Sequence, residues 1–165
     1  MSTQLVFCTS DSLPSSPSLV VVGRVDRLKA DDVIAALPND LAELWPAMLA
    51  GVSSGDSGGS TTAWLAGDTQ RVVVGVLPEP CSRHNSPARP HAVTSLVSKA
   101  PSKGDVSVLL AVDSADHAFA AGCAASRAFP TYSRKGGERE DRTISIAALE
   151  VSSAVILRAP GHRRR

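Results

Sequence analysis

At 165 residues, 43% apolar and 20% charged, the chain has the length and composition of one globular domain with its own hydrophobic core. Its formal charge of +1 falls to −2 without the terminal run Arg163-Arg164-Arg165, so the balance points neither to nucleic acid nor to a membrane surface as partner. No stretch is long and apolar enough for a membrane span, and the start MSTQLVFCTS lacks the basic and apolar regions of a signal peptide, which makes the cytoplasm the expected location.

Val6-Phe7-Cys8 and Leu19–Val22 read as strands separated by the turn-forming TSDSLPSSPS. LKADDVIAAL then places Val33, Ile34 and Leu37 on one helical face and stops at Pro38. A second helix starts at Asn39 or Asp40 with a Leu41, Leu44, Trp45, Met48, Leu49 stripe and a capping-box pair, Asp40 and Glu43. Pro46 is awkward there, because it removes a backbone donor. TTAWLAG and RVVVGVLP predict two strands joined by Gly67-Asp68, the second covered on both faces. A helix over about 87–100 carries Ala92, Val93, Leu96, Val97 and Ala100. VSVLLAV at 106–112 is another buried strand. Asp113 caps the next helix, with a stripe of Ala115, Ala118, Phe119, Gly122, Cys123, Ser126 and Phe129. After FPTYSRKGGEREDR come TISIAALEV and SAVILRA, one or two final strands. Buried strands alternating with amphipathic helices predict an α/β layered fold.

Cys8, Cys81 and Cys123 are odd in number and widely spaced, so they read as reduced, mostly buried thiols. Gly55-Asp56-Ser57-Gly58-Gly59 spells GDSGG, the string around the nucleophile of chymotrypsin-like proteases. Those enzymes place histidine and aspartate before the serine, whereas His84, His91, His117 and His162 all follow Ser57. The string therefore reads as an exposed Gly/Ser connector.

The densest polar stretch is EPCSRHNSPARPH, residues 79–91. It lies between a strand end and a helix start, where ligands of α/β sheets gather. Ser86 is placed as the helix N-cap and Pro87 in its first turn. Arg83, His84, Asn85 and Ser86 are the candidate anion or ligand loop. The same residues equally describe a loop whose side chains cap its own backbone. No GxGxxG or GxxxxGK[ST] cradle accompanies them. His84 and His91 bring no third ligand for a metal. Ser82 and His84 lack an orienting group for nucleophilic catalysis. Asp31-Asp32 and the Glu138–Asp141 run read as solvated faces or turns. No catalytic or metal-ligating residue is assigned.

PEPCSRHNSPARPHAVTSLV resembles the RHNSP-plus-helix segment in the N-terminal domain of the leucyl aminopeptidase (M17) family, in its probable-aminopeptidase-like branch. AAGCAASRAFPTYSRKGG is similar to the helix end and S-R-K linker of the same domain. LAELWPAML is similar to its ELW helix, Pro46 being a departure. The resemblance runs in order over roughly residues 5–150.

It implies a macro-domain-like, three-layer α/β fold with a mixed central sheet and helices on both faces. It also implies that residues 1–157 form a single N-terminal domain, with 158–165 a flexible basic tail. The family's catalytic C-terminal domain carries two divalent ions, zinc or manganese, removes N-terminal amino acids from peptides and builds a homohexamer. Its NTDAEGR-type motif has no counterpart here, so no cofactor is expected in this chain and the chain alone is expected to be inactive. The expected role is scaffolding, oligomer or regulatory contacts with a catalytic domain of the same polypeptide. The isolated domain is expected to be a monomer or weak dimer, associating near Phe129, Tyr132 and Val155–Leu157. Nucleic acid is not expected as a partner. The alternative is a macro-like module that holds ADP-ribose or another anionic ligand at loop 82–87.

Overall fold

A computed structural model describes residues 3–79, 86–130 and 141–150, and the backbone of 154–155. The expected tail at 158–165, Tyr132 and Ile156-Leu157 lie outside the described residues.

The strands are β1 (Thr3–Thr9), β2 (Ser18–Gly23), β3 (Gly59–Trp64), β4 (Arg71–Val76), β5 (Val106–Ala111), β6 (Arg142–Leu149) and the short β7 (Ala154–Val155). The helices are α1 (Val25–Leu28), α2 (Asp31–Ala35), α3 (Asn39–Ala50), α4 (Pro90–Val97) and α5 (Ala115–Ser126). The sheet runs β1-β6-β5-β2-β4-β3, and β7 pairs with the end of β6. Only β3 against β4 and β7 against β6 are antiparallel; the other neighbours are parallel.

Register explains how continuous apolar strands serve two cores. Phe7, Ile146, Val108, Val20, Val73 and Thr62 form one row across the sheet. Cys8, Ala147, Leu109, Val21, Val74 and Thr61 form the next. Because side chains alternate along a strand, consecutive rows face opposite sides. The buried residues of the first row pack with Val93, Leu96 and Val97 of α4 and with the alanines of α5. Those of the second pack with Leu28, Val33, Leu41, Trp45 and Leu49 of α1–α3. Helices therefore cover both faces of a mixed sheet, as the resemblance implied.

Several local expectations are corrected. The helix expected over LKADDVIAAL is two short pieces, with Ala30 extended between them. The α3 N-cap is Pro38, with no side-chain capping bond, so Asp40 and Glu43 do not form the expected box. Proline at that position supplies no side-chain acceptor. The helix runs through Pro46 without ending. Trp45 beside it is only 1% exposed, and its indole N–H donates to the Leu28 carbonyl at 2.7 Å.

On α5 the buried residues are Ala118, Ala121, Gly122, Ala124 and Ala125. Ala118 and Gly122 belong to the predicted stripe, but its members Phe119, 62% exposed, and Cys123, also exposed, do not face the core, and Cys123 departs from the expectation of buried thiols. Small residues let α5 approach α4 closely, and the Thr94 hydroxyl donates to the Ala124 carbonyl at 2.8 Å. A phenylalanine on that face would hold the helices apart. Phe129, expected on an exposed surface, is only 3% exposed and packs under the Arg142 guanidinium, 5.6 Å from its ring centre.

The GDSGG connector has a packing role. Gly55 and Gly58 adopt positive φ, +48° and +88°, which glycine accepts at low cost. At Gly59 a Cβ would lie 2.0 Å from the Ser53 carbonyl oxygen. Ser57 is exposed.

Candidate functional site

The carboxyl ends of β2, β4 and β5 converge where the chain changes face. The connection from β2 leads to α1–α3 on one side, whereas β4 and β5 lead to α4 and α5 on the other. Such a divergence leaves a crevice beyond the strand ends. Here it is a small concavity, ≈ 20 Å³ to water-sized spheres, bordered by Arg24, Leu77, Arg89, Asp113, His117 and neighbouring apolar residues. That is room for about one water.

Arg24 follows β2 directly and lies 3.4 Å from Asp113 at the end of β5. The two are about a third exposed, so solvent screens the pair. Asp113 was expected to cap α5. Ser114 does so instead, its hydroxyl accepting from the Asp116 N–H at 3.4 Å, and Asp113 is left to meet Arg24.

Ser86, expected as the α4 N-cap, lies before a separate turn. Its hydroxyl accepts from the Ala88 N–H at 3.4 Å, and its carbonyl accepts from the Arg89 N–H at 2.9 Å. The helix starts one turn later, with Pro90 at its first position and Arg89 as the N-cap residue. Arg89 adopts left-handed φ 46° and ψ 52°, an unusual conformation for a side chain of this size. Its guanidinium donates to the carbonyls of Pro87 at 3.0 Å and Glu79 at 2.7 Å. Arg89 thus ties together the chain on either side of residues 80–85. Arg83, His84 and Asn85 lie outside the described residues, as does Cys81. Ser86 is exposed at the base of this loop.

Behind the concavity, Arg27 is buried. Its Nε donates to the Val112 carbonyl at 3.2 Å and Nη2 to the Leu149 carbonyl at 3.4 Å. Nη1 and Nη2 bond both oxygens of Asp32, at 2.6 and 2.5 Å. Asp32, read from sequence as a solvated charge, thereby anchors a buried cation at the ends of β5 and β6. The hydrogen bond and charge of Arg27 hold its carboxyl below the usual carboxylate range. Burial pushes the Cys8 thiol up. Sequence reasoning missed Arg24, Arg27 and Arg89. Its available signal was the pair of arginines in Gly23-Arg24-Val25-Asp26-Arg27, charges set immediately after a fully apolar strand.

Among the described residues, no three His, Cys, Asp or Glu side chains gather as a metal site, and no helix is long and apolar enough to cross a membrane.

The family model for the M17 aminopeptidase N-terminal domain 2 matches residues 17–138. The chain belongs to the M17 aminopeptidase family. The match is to an N-terminal domain of the family. Probable aminopeptidase NPEPL1 of Mus musculus is 32% identical over 143 residues, covering 82% of this chain and 26% of the relative. The Homo sapiens protein of the same name is 31% identical with the same coverage. The chain thus spans about a quarter of the length of these M17 relatives. In structure it is similar to leucyl aminopeptidase of Leishmania major, solved with actinonin, at TM-score 0.64 and 20% identity, over 87% of this chain and 29% of that one. It is also similar to leucine aminopeptidase of Caenorhabditis elegans, at TM-score 0.61 and 18% identity, over 88% of this chain and 31% of that one. These similarities establish the fold. The resemblance noted in the RHNSP and ELW segments is thereby confirmed at the level of family and domain.

Proposed function

We propose that this chain is the non-catalytic N-terminal domain of a cytoplasmic, metal-dependent leucyl aminopeptidase. Its work is scaffolding, oligomer or regulatory contact with the domain that performs peptide hydrolysis. The match of residues 17–138 to an N-terminal domain of the family carries this reading. The described residues support it, because the arginines at the strand ends and beside loop 80–85 are engaged in holding the fold. Arg27 binds strand ends and Arg89 binds loop carbonyls. Two divalent ions, zinc or manganese, and the homohexamer belong in this reading to the family's catalytic part. The experiment is hydrolysis of leucine-p-nitroanilide by the pure chain with added zinc or manganese. No turnover is expected. Robust metal-dependent turnover would overturn the reading.

A second reading rests on the position of the Arg24, Arg89 and His117 concavity at the strand carboxyl ends. In this reading a macro-domain-like module would hold ADP-ribose or another anionic ligand at loop 82–87, outside a hollow that itself admits only about one water. Calorimetry with ADP-ribose tests this. Saturable heat at micromolar ligand, abolished by Arg83→Ala, supports it, and absence of heat removes it.

A further inference from the structure

Strand β3 ends the sheet and pairs only with β4. Its six residues, Gly59-Ser60-Thr61-Thr62-Ala63-Trp64, carry no charge and no proline. Sheet edges are usually protected by lysine, proline, a bulge or a covering segment. Among the described residues, β3 has none of these.

The direction of its free backbone groups follows from one bond. In the register of the hairpin Leu65 stands opposite Gln70, and its N–H donates to the Gln70 carbonyl at 2.9 Å. Backbone groups alternate sides along an antiparallel strand. Ala63, Thr61 and Gly59 therefore bond toward β4. The N–H and C=O groups of Ser60, Thr62 and Trp64 project off the sheet edge. The side chains of these same three residues are exposed, and Trp64 is 72% exposed, the most of any large apolar residue described. The Arg71 guanidinium holds the indole from below, 5.5 Å from the ring centre.

We propose that β3 is a self-pairing edge: two copies of this chain join antiparallel across a dyad at Thr62, making one continuous sheet. In that register Thr62 meets its own mate and Ser60 meets the partner's Trp64. Each of these pairs has both backbone groups pointing outward, so each exchanges two N–H···O bonds. The strand is small at one end, Gly59 and Ser60, and large at the other, Trp64. Antiparallel self-pairing sets large over small, whereas parallel pairing would set indole against indole. The absence of charge along the strand removes like-charge repulsion between facing residues. This fit is to the strand itself, which is why a second copy is the occupant. Exposed Asp56 and Asp68 lie in the turns at its two ends and keep the pairing weak. The expected dissociation constant is on the order of 10–100 µM, as for a small interface. The inference stands independently of the aminopeptidase reading.

Sedimentation of the 165-residue chain from micromolar to millimolar concentration tests it. A monomer–dimer equilibrium is expected. Thr62→Lys, which sets two ammonium groups facing each other at the dyad, should weaken it at least tenfold. Thr62→Pro should do the same while leaving the bonds to β4 intact, because the lost N–H points outward. Phe119→Ser, on the exposed face of α5, should leave association unchanged. The proposal is overturned by a monomer throughout that range. It is equally overturned by a dimer indifferent to both Thr62 variants, or by one abolished by Phe119→Ser.

Discussion

Arg27 and Asp32 form a forked ion pair, Nη1 donating to Oδ1 and Nη2 to Oδ2 of the carboxylate. The arginine is buried, whereas the Asp32 side chain is 39% exposed. Removing either partner therefore has unequal consequences. Arg27→Ala deletes the donors for the Val112 and Leu149 carbonyls and opens a void between α1 and the ends of β5 and β6. It should cost about 3 kcal/mol. Asp32→Asn keeps one acceptor beside a cation that retains its carbonyl partners. With solvent screening the carboxylate, it should cost about 1 kcal/mol. Urea unfolding of both variants checks the order and the ratio.

The same pair makes stability depend on pH in a fixed direction. Arg27 lowers the folded-state pKa of Asp32 from the ordinary value of 3.8. The unfolded chain therefore binds a proton at Asp32 more readily than the folded chain. The stabilisation is fully present above that ordinary value and is lost as pH falls through the lowered folded value. The stability difference between the native chain and Asp32→Asn should be constant from pH 7 to about 5 and should shrink below 3.8. A difference that grows on acidification would contradict the assignment.

The two tryptophans should report separately. Trp45 is sealed in the core with its N–H bonded to Leu28, while Trp64 is open to water. In Trp64→Phe the remaining emission should be blue-shifted and protected from acrylamide. In Trp45→Phe it should be red and readily quenched. Trp45→Phe also leaves the Leu28 carbonyl without its indole donor, at a cost of about 1–3 kcal/mol.

The GDSGG string offers a direct comparison of a packing residue with the apparent nucleophile. Gly59→Ala forces a methyl against the Ser53 carbonyl, and should destabilise by about 1–3 kcal/mol. Ser57→Ala, at an exposed turn position, should change stability by less than about 0.5 kcal/mol. Thermal melts of the two variants decide it. Equal effects would mean that the serine has a structural partner beyond those described.

The order of strands and helices was legible in the sequence because apolar patterning is a local property. Leu19–Val22 and Val106–Val112 announce strands buried on both faces, and GDSGG, without a histidine ahead of it, gives no protease. The RHNSP, ELW and AFP segments also carried the family. Tertiary structure alone decided three other things. The buried side of α5 depends on how closely α4 approaches, and alanines give a sequence no direction, so the larger Phe119 pulled the expected face round by part of a turn: Ala118, Gly122 and Phe129 are buried as expected, whereas Phe119 and Cys123 are not. The start of α4 depends on where the chain turns at left-handed Arg89, because the sequence offers two competing proline-bearing starts, Ser86-Pro87 and Arg89-Pro90. The partner of Arg27 depends on strands β5 and β6 coming to rest beside α1, residues more than 80 positions away in the chain. Periodicity tells which residues leave water. Only the packed sheet determines which carbonyls and charges they meet there, because those meetings are set by distances between elements that no local pattern encodes.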